Sequence, residues 1–195
     1  MSRLKPLSPE TTPELKSYFD FFLGTLGFTP NSVLTMQRKP QLVKAFAQLN
    51  AAVMATDGEV DLGFRRLIGH LASKASGCLY CQAHTLLGAK NFGISEEKMA
   101  AVWNYANNDL YSPAEKIALD FALAAASQPN TVTDDMFNEL STQWSEGQIV
   151  EILGVVAMFG FLNRWNDSMA TPLEAAPLLV AQQTAGAHGF GRGKH

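Results

Sequence analysis

Two cysteines and a histidine stand close together near the middle of the chain. Cys78 and Cys81 are the only cysteines in the 195 residues; they are three positions apart, and His84 follows Cys81 by another three. Positions three apart on an α-helix are neighbours on one face, so Cys81 can touch both Cys78 and His84. His84 lies about 9 Å along the axis from Cys78 and reaches only Cys81. The spacing predicts a dithiol with a base beside its second cysteine.

The start of this helix is expected to favour a thiolate. Ser76 or Gly77 would be the N-cap, which places Cys78 in the first turn. Unpaired amides and the positive end of the helix dipole stabilise an anion there. We therefore expect a thiol pKa below the free value of about 8.5, in a pair that can close into a disulfide with little backbone movement.

Other interpretations of the same residues stay open. The cysteines could be small buried hydrophobic residues. They could also bind zinc with His84; a closed site needs four ligands and the chain has no second cysteine pair, although His70 could in principle be the fourth. We expect no metal. Tyr80 should face away from Cys81 and serve as a packing aromatic or as a proton donor. His70 should be a packing histidine unless it folds back onto the dithiol.

Caps, prolines and the spacing of apolar residues predict helices along the whole chain, and no segment alternates at the period of a strand. Ser112 and Ser145 each open a capping box, with Glu115 and Gln148 three residues on. The fold class is therefore all-α with a single domain. The predicted helices start near Thr12, Pro40, Val60, Cys78, Ser95, Ser112, Thr133 and Ser145, with a break at Pro30.

Composition and charge restrict the partners of the protein. A net charge of -3 without a basic cluster argues against nucleic-acid binding. The longest apolar stretch, Ile149–Leu162, is shorter than a membrane span and contains Glu151, which indicates a buried helix and no membrane association. The N-terminus lacks the apolar run of a signal peptide, so we expect a cytoplasmic protein with reduced thiols. Only 17% of residues are charged, which is typical of a surface partly covered in a homo-oligomer.

The segment from Gly77 to His84 resembles the motif of the carboxymuconolactone decarboxylase-like superfamily, on its alkylhydroperoxidase D (AhpD-like) branch. The amphipathic helix Phe64–Ala75 precedes the motif, and Val155–Arg164 is similar to the late apolar helix of that family. The likeness covers roughly Pro40–Ala170. It implies an AhpD-like helical bundle.

On this resemblance we expect three parts in the chain. Residues 1–40 would be an N-terminal helical extension, and 41–176 the carboxymuconolactone decarboxylase/AhpD-like domain. Residues 177–195 would be a Gly-rich C-terminal tail or an arm over a neighbouring subunit.

The resemblance also implies a thiol-dependent peroxidase that reduces small hydroperoxides without a cofactor. Cys81 would attack the peroxide, Cys78 would resolve the sulfenic acid as a disulfide, and His84 would move the proton. A dithiol reductant or a lipoyl-bearing protein would restore the pair. Two alternatives remain: a non-catalytic redox sensor or oligomeric binding protein, and a decarboxylase or isomerase acting on a small organic acid.

Two positions depart from the family pattern. Well-studied members carry the histidine four positions after the second cysteine, where this chain has Thr85. They also carry a relay glutamate twelve positions before the first cysteine, where this chain has Arg66, which cannot accept a proton. His70 or Glu59 could replace the glutamate, or Arg66 could tune a thiol pKa by its charge. The polar cluster Asn163–Asp167 would either cap its helix or line the dithiol pocket.

Overall fold

A computed structural model describes residues 2–185, 190, 191 and 193–195. This part of the chain is helical and contains no strand, which confirms the predicted all-α fold. Three short 3₁₀ segments accompany the α-helices, at Pro9–Thr11, Pro13–Leu15 and Ala101–Asn107. The α-helices are α1 Lys16–Leu26, α2 Asn31–Met36, α3 Pro40–Val53, α4 Leu62–Ala75, α5 Leu79–Asn91, α6 Glu96–Ala100, α7 Pro113–Ala126, α8 Asp134–Gln143, α9 Glu146–Met169 and α10 Ala175–Ala185.

Local signals in the sequence set several of these boundaries. Ser112 and Ser145 each form the complete, reciprocal capping box expected at the starts of α7 and α9. Thr133 caps α8 through the backbone N–H of Met136. Helix starts that depend on such local hydrogen bonds therefore agree with the sequence prediction.

The centre of the bundle is α4, which packs against α5, α7 and α9. Ile68 and Leu71 on α4 are fully buried among these neighbours. Gly69 allows α9 to approach closely, because a Cβ atom there would lie 2.4 Å from the ring of Phe159. Ala72, one turn further on, accepts a hydrogen bond from the side chain of Asn163. These contacts fix α9 against α4, the helix that precedes the cysteine motif.

Helix α9 is long and apolar enough, by length and composition, to cross a membrane, with a mean hydropathy of 1.3. In this structure it packs against α3, α4, α5 and α7 within the bundle. Ile152, Val155 and Val156 are buried there. One face of α9 is therefore buried as expected, whereas Val150 and Leu153 on the opposite face are exposed.

Three parts of the chain differ from the sequence prediction. The break expected at Pro30 is followed directly by the short helix α2. Leu23, expected on the apolar side of α1, is 52% exposed.

The third difference concerns residues 177–185, which were assigned to a Gly-rich tail or arm but form most of α10 and pack on α5. Pro177 falls in the first turn of α10, where a missing N–H removes no helical hydrogen bond. Residues 186–189 and 192 of the predicted tail lie outside the described residues.

Candidate functional site

The two cysteines meet at the start of α5. Gly77 turns the chain out of α4 in the left-handed region, with φ +70. Cys78 is itself the N-cap, since its Sγ accepts the backbone N–H of Cys81 at 3.3 Å. The cap was expected at Ser76 or Gly77, so the start of the helix is one residue later than predicted. The two Sγ atoms are 2.8 Å apart, close enough to share a hydrogen.

The thiols are buried rather than exposed at the helix start. Cys78 is 0% exposed and Cys81 1%. Burial raises the pKa of the Cys81 thiol well above its ordinary value, and the hydrogen bond with Cys78 adds to the effect. The sequence predicts a lowered thiol pKa in this pair, and for Cys81 the direction is the opposite because the thiol is desolvated. A Cys81 thiol in this environment rests protonated and needs a base to become a nucleophile.

Cys81 lies on the wall of a small cavity of about 50 Å³, between α1, α3, α5 and α9. His84 and Tyr80 line the same cavity, and Cys78 lies behind Cys81, outside the lining. The wall is mostly apolar and aromatic. Its residues are Phe22, Leu26, Pro30, Ser32, Val33, Phe46, Asn50, Arg66, Tyr80, Cys81, His84, Phe159, Leu162 and Asn166.

Glu174, just before α10, supplies a carboxylate to the histidine. Its Oε2 lies 2.7 Å from Nε2 of His84, and its Oε1 accepts hydrogen bonds from the Tyr80 hydroxyl at 2.9 Å and from the Asn31 backbone N–H at 2.6 Å. Burial alone raises the pKa of Glu174, but attraction to His84, the hydrogen bond with His84 and the Asn31 backbone N–H outweigh burial and hold the pKa below its ordinary value of 4.5. The histidine therefore has an ionised partner.

Sequence reasoning missed Glu174 altogether. It is 90 positions from His84, in the short segment between α9 and α10, and no motif spacing connects the two. The one indication in the sequence was indirect. Arg66 occupies the position of the relay glutamate on α4, so any carboxylate partner of His84 would have to come from another segment. The two residues proposed for that role were His70 and Glu59.

Neither His70 nor Glu59 lines the dithiol cavity. His70 is fully buried between α4 and α5, with Nδ1 3.1 Å from both the Gln82 carbonyl and the Thr85 hydroxyl. Burial lowers the pKa of His70 to about 4, so its imidazole is neutral at pH 7. The packing interpretation fits this position. Glu59 is exposed, and its side chain accepts a hydrogen bond from Ser145.

Tyr80 does not face away from the site, as the helix position had suggested. Its ring stacks on the imidazole of His84, with centroids 4.2 Å apart. The ring of Phe28 meets the same imidazole edge-on at 5.6 Å. With Glu174 on Nε2, these contacts fix the orientation of the histidine.

The polar residues Asn163–Asp167 on α9 have different partners, and only Asn166 contacts a cysteine. Asn166 donates from Nδ2 to the Cys81 sulfur at 3.5 Å and lines the cavity. Asn163 binds the backbone of α4, and Arg164 is exposed and bonds to Gly160 of its own helix. Asp167 pairs with Lys194 at 2.7 Å. Within the described residues, no group of three or more His, Cys, Asp or Glu side chains is placed to hold a metal ion.

Comparison with known proteins gives relatives for both the motif and the whole fold. The model of the carboxymuconolactone decarboxylase family matches residues 40–124, which include the dithiol. The debrominase Bmp8, in its apo crystal structure, is 33% identical with a TM-score of 0.86, over 92% of this chain and 96% of its own. A cysteine-to-alanine variant of Bmp8 with 2,3,4-tribromopyrrole is 32% identical, with a TM-score of 0.88 over 94% and 98%.

Two further relatives are more distant. The alkylhydroperoxidase AhpD core of a peroxidase-related protein from Ralstonia eutropha is 24% identical, with a TM-score of 0.78 over 91% of this chain and 95% of that one. The uncharacterized protein YnjA of Escherichia coli is 24% identical over 110 residues, and the match spans 56% of this chain and 60% of YnjA.

Fold and site together define an all-α protein with a buried dithiol in an AhpD-like bundle. The chain belongs to the carboxymuconolactone decarboxylase family.

Proposed function

We propose that this protein is a dithiol-dependent reductase that transfers two electrons from Cys78 and Cys81 to a small hydroperoxide. The observation that carries the proposal is the position of Cys81 on the cavity wall with the Cys78 sulfur 2.8 Å behind it. A substrate in the cavity meets one sulfur, and the second sulfur is already placed to close a disulfide. Disulfide formation needs the sulfurs to move only from 2.8 Å to the bond length of about 2.05 Å.

The first step is attack by Cys81 on the outer oxygen of the peroxide. His84 accepts the proton from the Cys81 thiol, and the imidazolium is stabilised by Glu174 at 2.7 Å. The S–O bond forms as the O–O bond breaks, and the leaving alkoxide takes the proton from His84. The Oδ1 atom of Asn166 has no hydrogen-bond partner among the described residues and can accept the peroxide O–H. The products are a Cys81 sulfenic acid and an alcohol.

The second step uses the sulfur that does not face the cavity. Cys78 attacks the sulfenic sulfur of Cys81, the disulfide forms, and water leaves with the Cys78 proton. Two thiols and one hydroperoxide thus yield one disulfide, one alcohol and one water. A dithiol, free or carried on a lipoyl-bearing protein, then reduces the disulfide by exchange.

Reductive removal of a halogen from a small aromatic ring is a second candidate. It is favoured by the aromatic cavity wall, which includes Phe22, Phe46 and Phe159, and by the 33% identity with the debrominase Bmp8. Replacing bromine by hydrogen and releasing bromide consumes two electrons, the number that two thiols supply on closing to a disulfide. The same two sulfurs would therefore serve either substrate.

A thiol count separates these functions. The reduced protein receives about one equivalent of hydroperoxide, or one equivalent of a brominated pyrrole with bromide release measured in parallel. We expect wild-type protein to lose two thiols with the hydroperoxide, to recover both with a dithiol, and to turn over when the dithiol is in excess.

Serine variants of the two cysteines test their roles. Cys81→Ser should lose no thiol, whereas Cys78→Ser should lose one and accumulate a sulfenic acid that dimedone traps. Two unchanged thiols in wild-type protein, or undiminished peroxide consumption by Cys81→Ser, would refute the proposal. Oxidation that stops after one equivalent despite excess dithiol would indicate a redox sensor. Bromide release without peroxide reduction would identify the dehalogenase.

A further inference from the structure

Arg66 stands between the dithiol cavity and a second, larger cavity of about 260 Å³. Four residues line both cavities, namely Phe22, Leu26, Asn50 and Arg66. The cavities are therefore adjacent, and Arg66 lies at the boundary between the larger cavity and the one that Cys81 lines. Its remaining wall is largely apolar, with Phe21, Met54, Leu62 and Phe92 among its residues.

The guanidinium of Arg66 has no partner for its charge in the described part of the chain. Its Nε is buried without a hydrogen-bond partner. Cζ of Arg66 lies 5.5 Å from the centroid of the Phe92 ring. This cation–π contact does not provide a hydrogen-bond acceptor for the guanidinium N–H groups. None of the residues that line either cavity is Asp or Glu. Burial and the neighbouring Arg65 lower the pKa of Arg66 to about 10, which leaves it charged at pH 7.

The fold makes room for this side chain. A Cβ atom on Gly88 of α5 would lie 2.8 Å from Cδ of Arg66 and 3.0 Å from its Nε. Glycine in the middle of a helix costs about 1 kcal/mol relative to alanine. At Gly88 this cost is offset because only glycine leaves space for the Arg66 side chain. The stem of Arg66 thus runs across α5 in a fixed channel, with its unpaired charge at the boundary of two apolar cavities.

Arg66 is partly buried, and a charge withdrawn from water is unfavourable unless it is paired and hydrogen-bonded, so an anion beside the guanidinium would be stabilised. We propose that Arg66 binds the negatively charged group of the substrate, and that the substrate is a small apolar molecule bearing a carboxylate or an equally acidic group. The apolar body occupies the larger cavity while the reducible end reaches Cys81. A carboxylate can accept two parallel N–H donors from a guanidinium, which fixes the orientation of the molecule. The statement that the bound molecule is reduced rests on the proposed reductase function. The statement that Arg66 binds an anion does not.

Binding of an unreactive probe tests the site without any turnover. The fully reduced full-length protein is titrated calorimetrically at pH 7 with benzoate and with benzamide, which have the same ring and differ in charge. We expect benzoate to bind at least tenfold more tightly than benzamide. Arg66→Met should weaken benzoate binding at least tenfold and leave benzamide binding unchanged, and Arg66→Lys should retain part of the preference.

Arg38→Met is the matched control, because it removes the same charge from an exposed position shortly after α2 that lines neither cavity. It should bind benzoate as wild-type protein does. Equal benzoate binding by wild type and Arg66→Met, or no preference of wild type for benzoate over benzamide, would overturn the inference.

Thermal unfolding adds a readout that a purely structural arginine would not give. Arg66 is partly buried and unpaired, so its replacement by an apolar side chain should raise the Tm of Arg66→Met above that of wild type. A lower Tm together with unchanged benzoate binding would show that Arg66 only supports the fold, and would overturn the inference. Arg66-dependent benzoate binding in a protein that keeps both thiols after hydroperoxide would sustain the anion site and reject the reductase, so the two proposals fail separately.

Discussion

At the scale of single residues, the site depends on how one imidazole is held. His84 contacts Glu174 through Nε2, and the ring of Tyr80 lies against one of its faces. A buried thiol with a raised pKa needs a base whose protonated form is stabilised, and Glu174 provides that stabilisation. Glu174 also accepts the N–H of Asn31, so it joins the start of α2 to the motif helix. In the proposed mechanism the carboxylate therefore supports proton transfer, and its contacts also connect two helices.

Glu174→Gln should lower the rate of peroxide reduction roughly tenfold or more, because the imidazolium loses its counter-charge. The pKa of Glu174 is below 4.5 in the folded protein, so the folded state binds its proton less readily than the unfolded chain does. Wild type should thus be more stable than the variant at pH 7. The difference should shrink as the pH falls below 4.5 and disappear below the folded pKa.

Denaturant unfolding from pH 7 to pH 3 measures this difference, with Glu139→Gln, a change on the exposed face of α8, as the control. A stability difference that persists unchanged at pH 3 would contradict the charge-based explanation. Rate loss at neutral pH without any stability difference would mean that Glu174 acts on the chemistry alone.

At the scale of elements, the cavity exists because α4 and α9 approach each other at a glycine. The ring of Phe159 occupies the space that a side chain at Gly69 would need, and the same ring forms part of the cavity wall. The packing of two helices and the shape of the site are therefore set by the same contact. Asn166, two turns along α9 from Phe159, reaches Cys81 because of this fixed distance.

Gly69→Ala should destabilise the protein by about 1–3 kcal/mol, since overpacking outweighs the gain in helix propensity. It should also slow oxidation of Cys81, because the displaced ring of Phe159 moves towards the cavity. Gly24→Ala is the control: no atom lies within 4 Å of the added methyl group, and α1 should gain slightly in stability. Urea unfolding and the rate of thiol loss measure the two effects. A Gly69→Ala protein as stable as Gly24→Ala would disprove the packing argument.

Sequence and structure agree where information is local. The capping boxes at Ser112 and Ser145 and the proximity of Cys78 to Cys81 depend on residues three apart, which fixed helical geometry brings together. Disagreement begins where distant segments meet. The position of Tyr80 was misjudged because its surroundings come from α2 and from the segment before α10.

Burial of the cysteines shows a second limit of sequence reasoning. The helix dipole at Cys78 can be predicted from position, whereas desolvation depends on which elements cover the site. For Cys81, burial raises the pKa of the thiol, and this could not be predicted from its position in the sequence. The carboxylate of Glu174 could not be found for the same reason, since only the folded chain places it beside His84.

At the scale of the whole molecule, α9 presents an apolar face to solvent. Val150 is 70% exposed, Leu153 45% and Phe161 36%, and exposed Ala157 lies between them. These positions fall on one side of the helix at spacings of three and four residues, as a helix-packing stripe does. A continuous exposed apolar stripe is typical of an interface between subunits, which agrees with the low content of charged residues.

We therefore predict a homo-oligomer in which this stripe is covered. Sedimentation equilibrium should give a mass that is a multiple of the 21.2 kDa chain. Val150→Glu combined with Leu153→Glu should shift the protein to the monomer, whereas Asn138→Glu combined with Gln143→Glu, which adds the same two negative charges to exposed residues of α8, should not. A wild-type monomer would refute the prediction, and an oligomer that withstands the double change would place the interface elsewhere.

The carboxylate beside the imidazole comes from a short connecting segment outside residues 40–124, the part that matches the family model. Relatives can therefore have the same residues in the cysteine helix and still differ in the carboxylate that partners the histidine, if the segment before the last helix differs. A substitution in this connecting segment can leave the helix packing unchanged and still alter the reaction at the cysteines, and with it the substrate. Relatives grouped by the segment before the last helix, and not by the cysteine motif, should consequently share their chemistry.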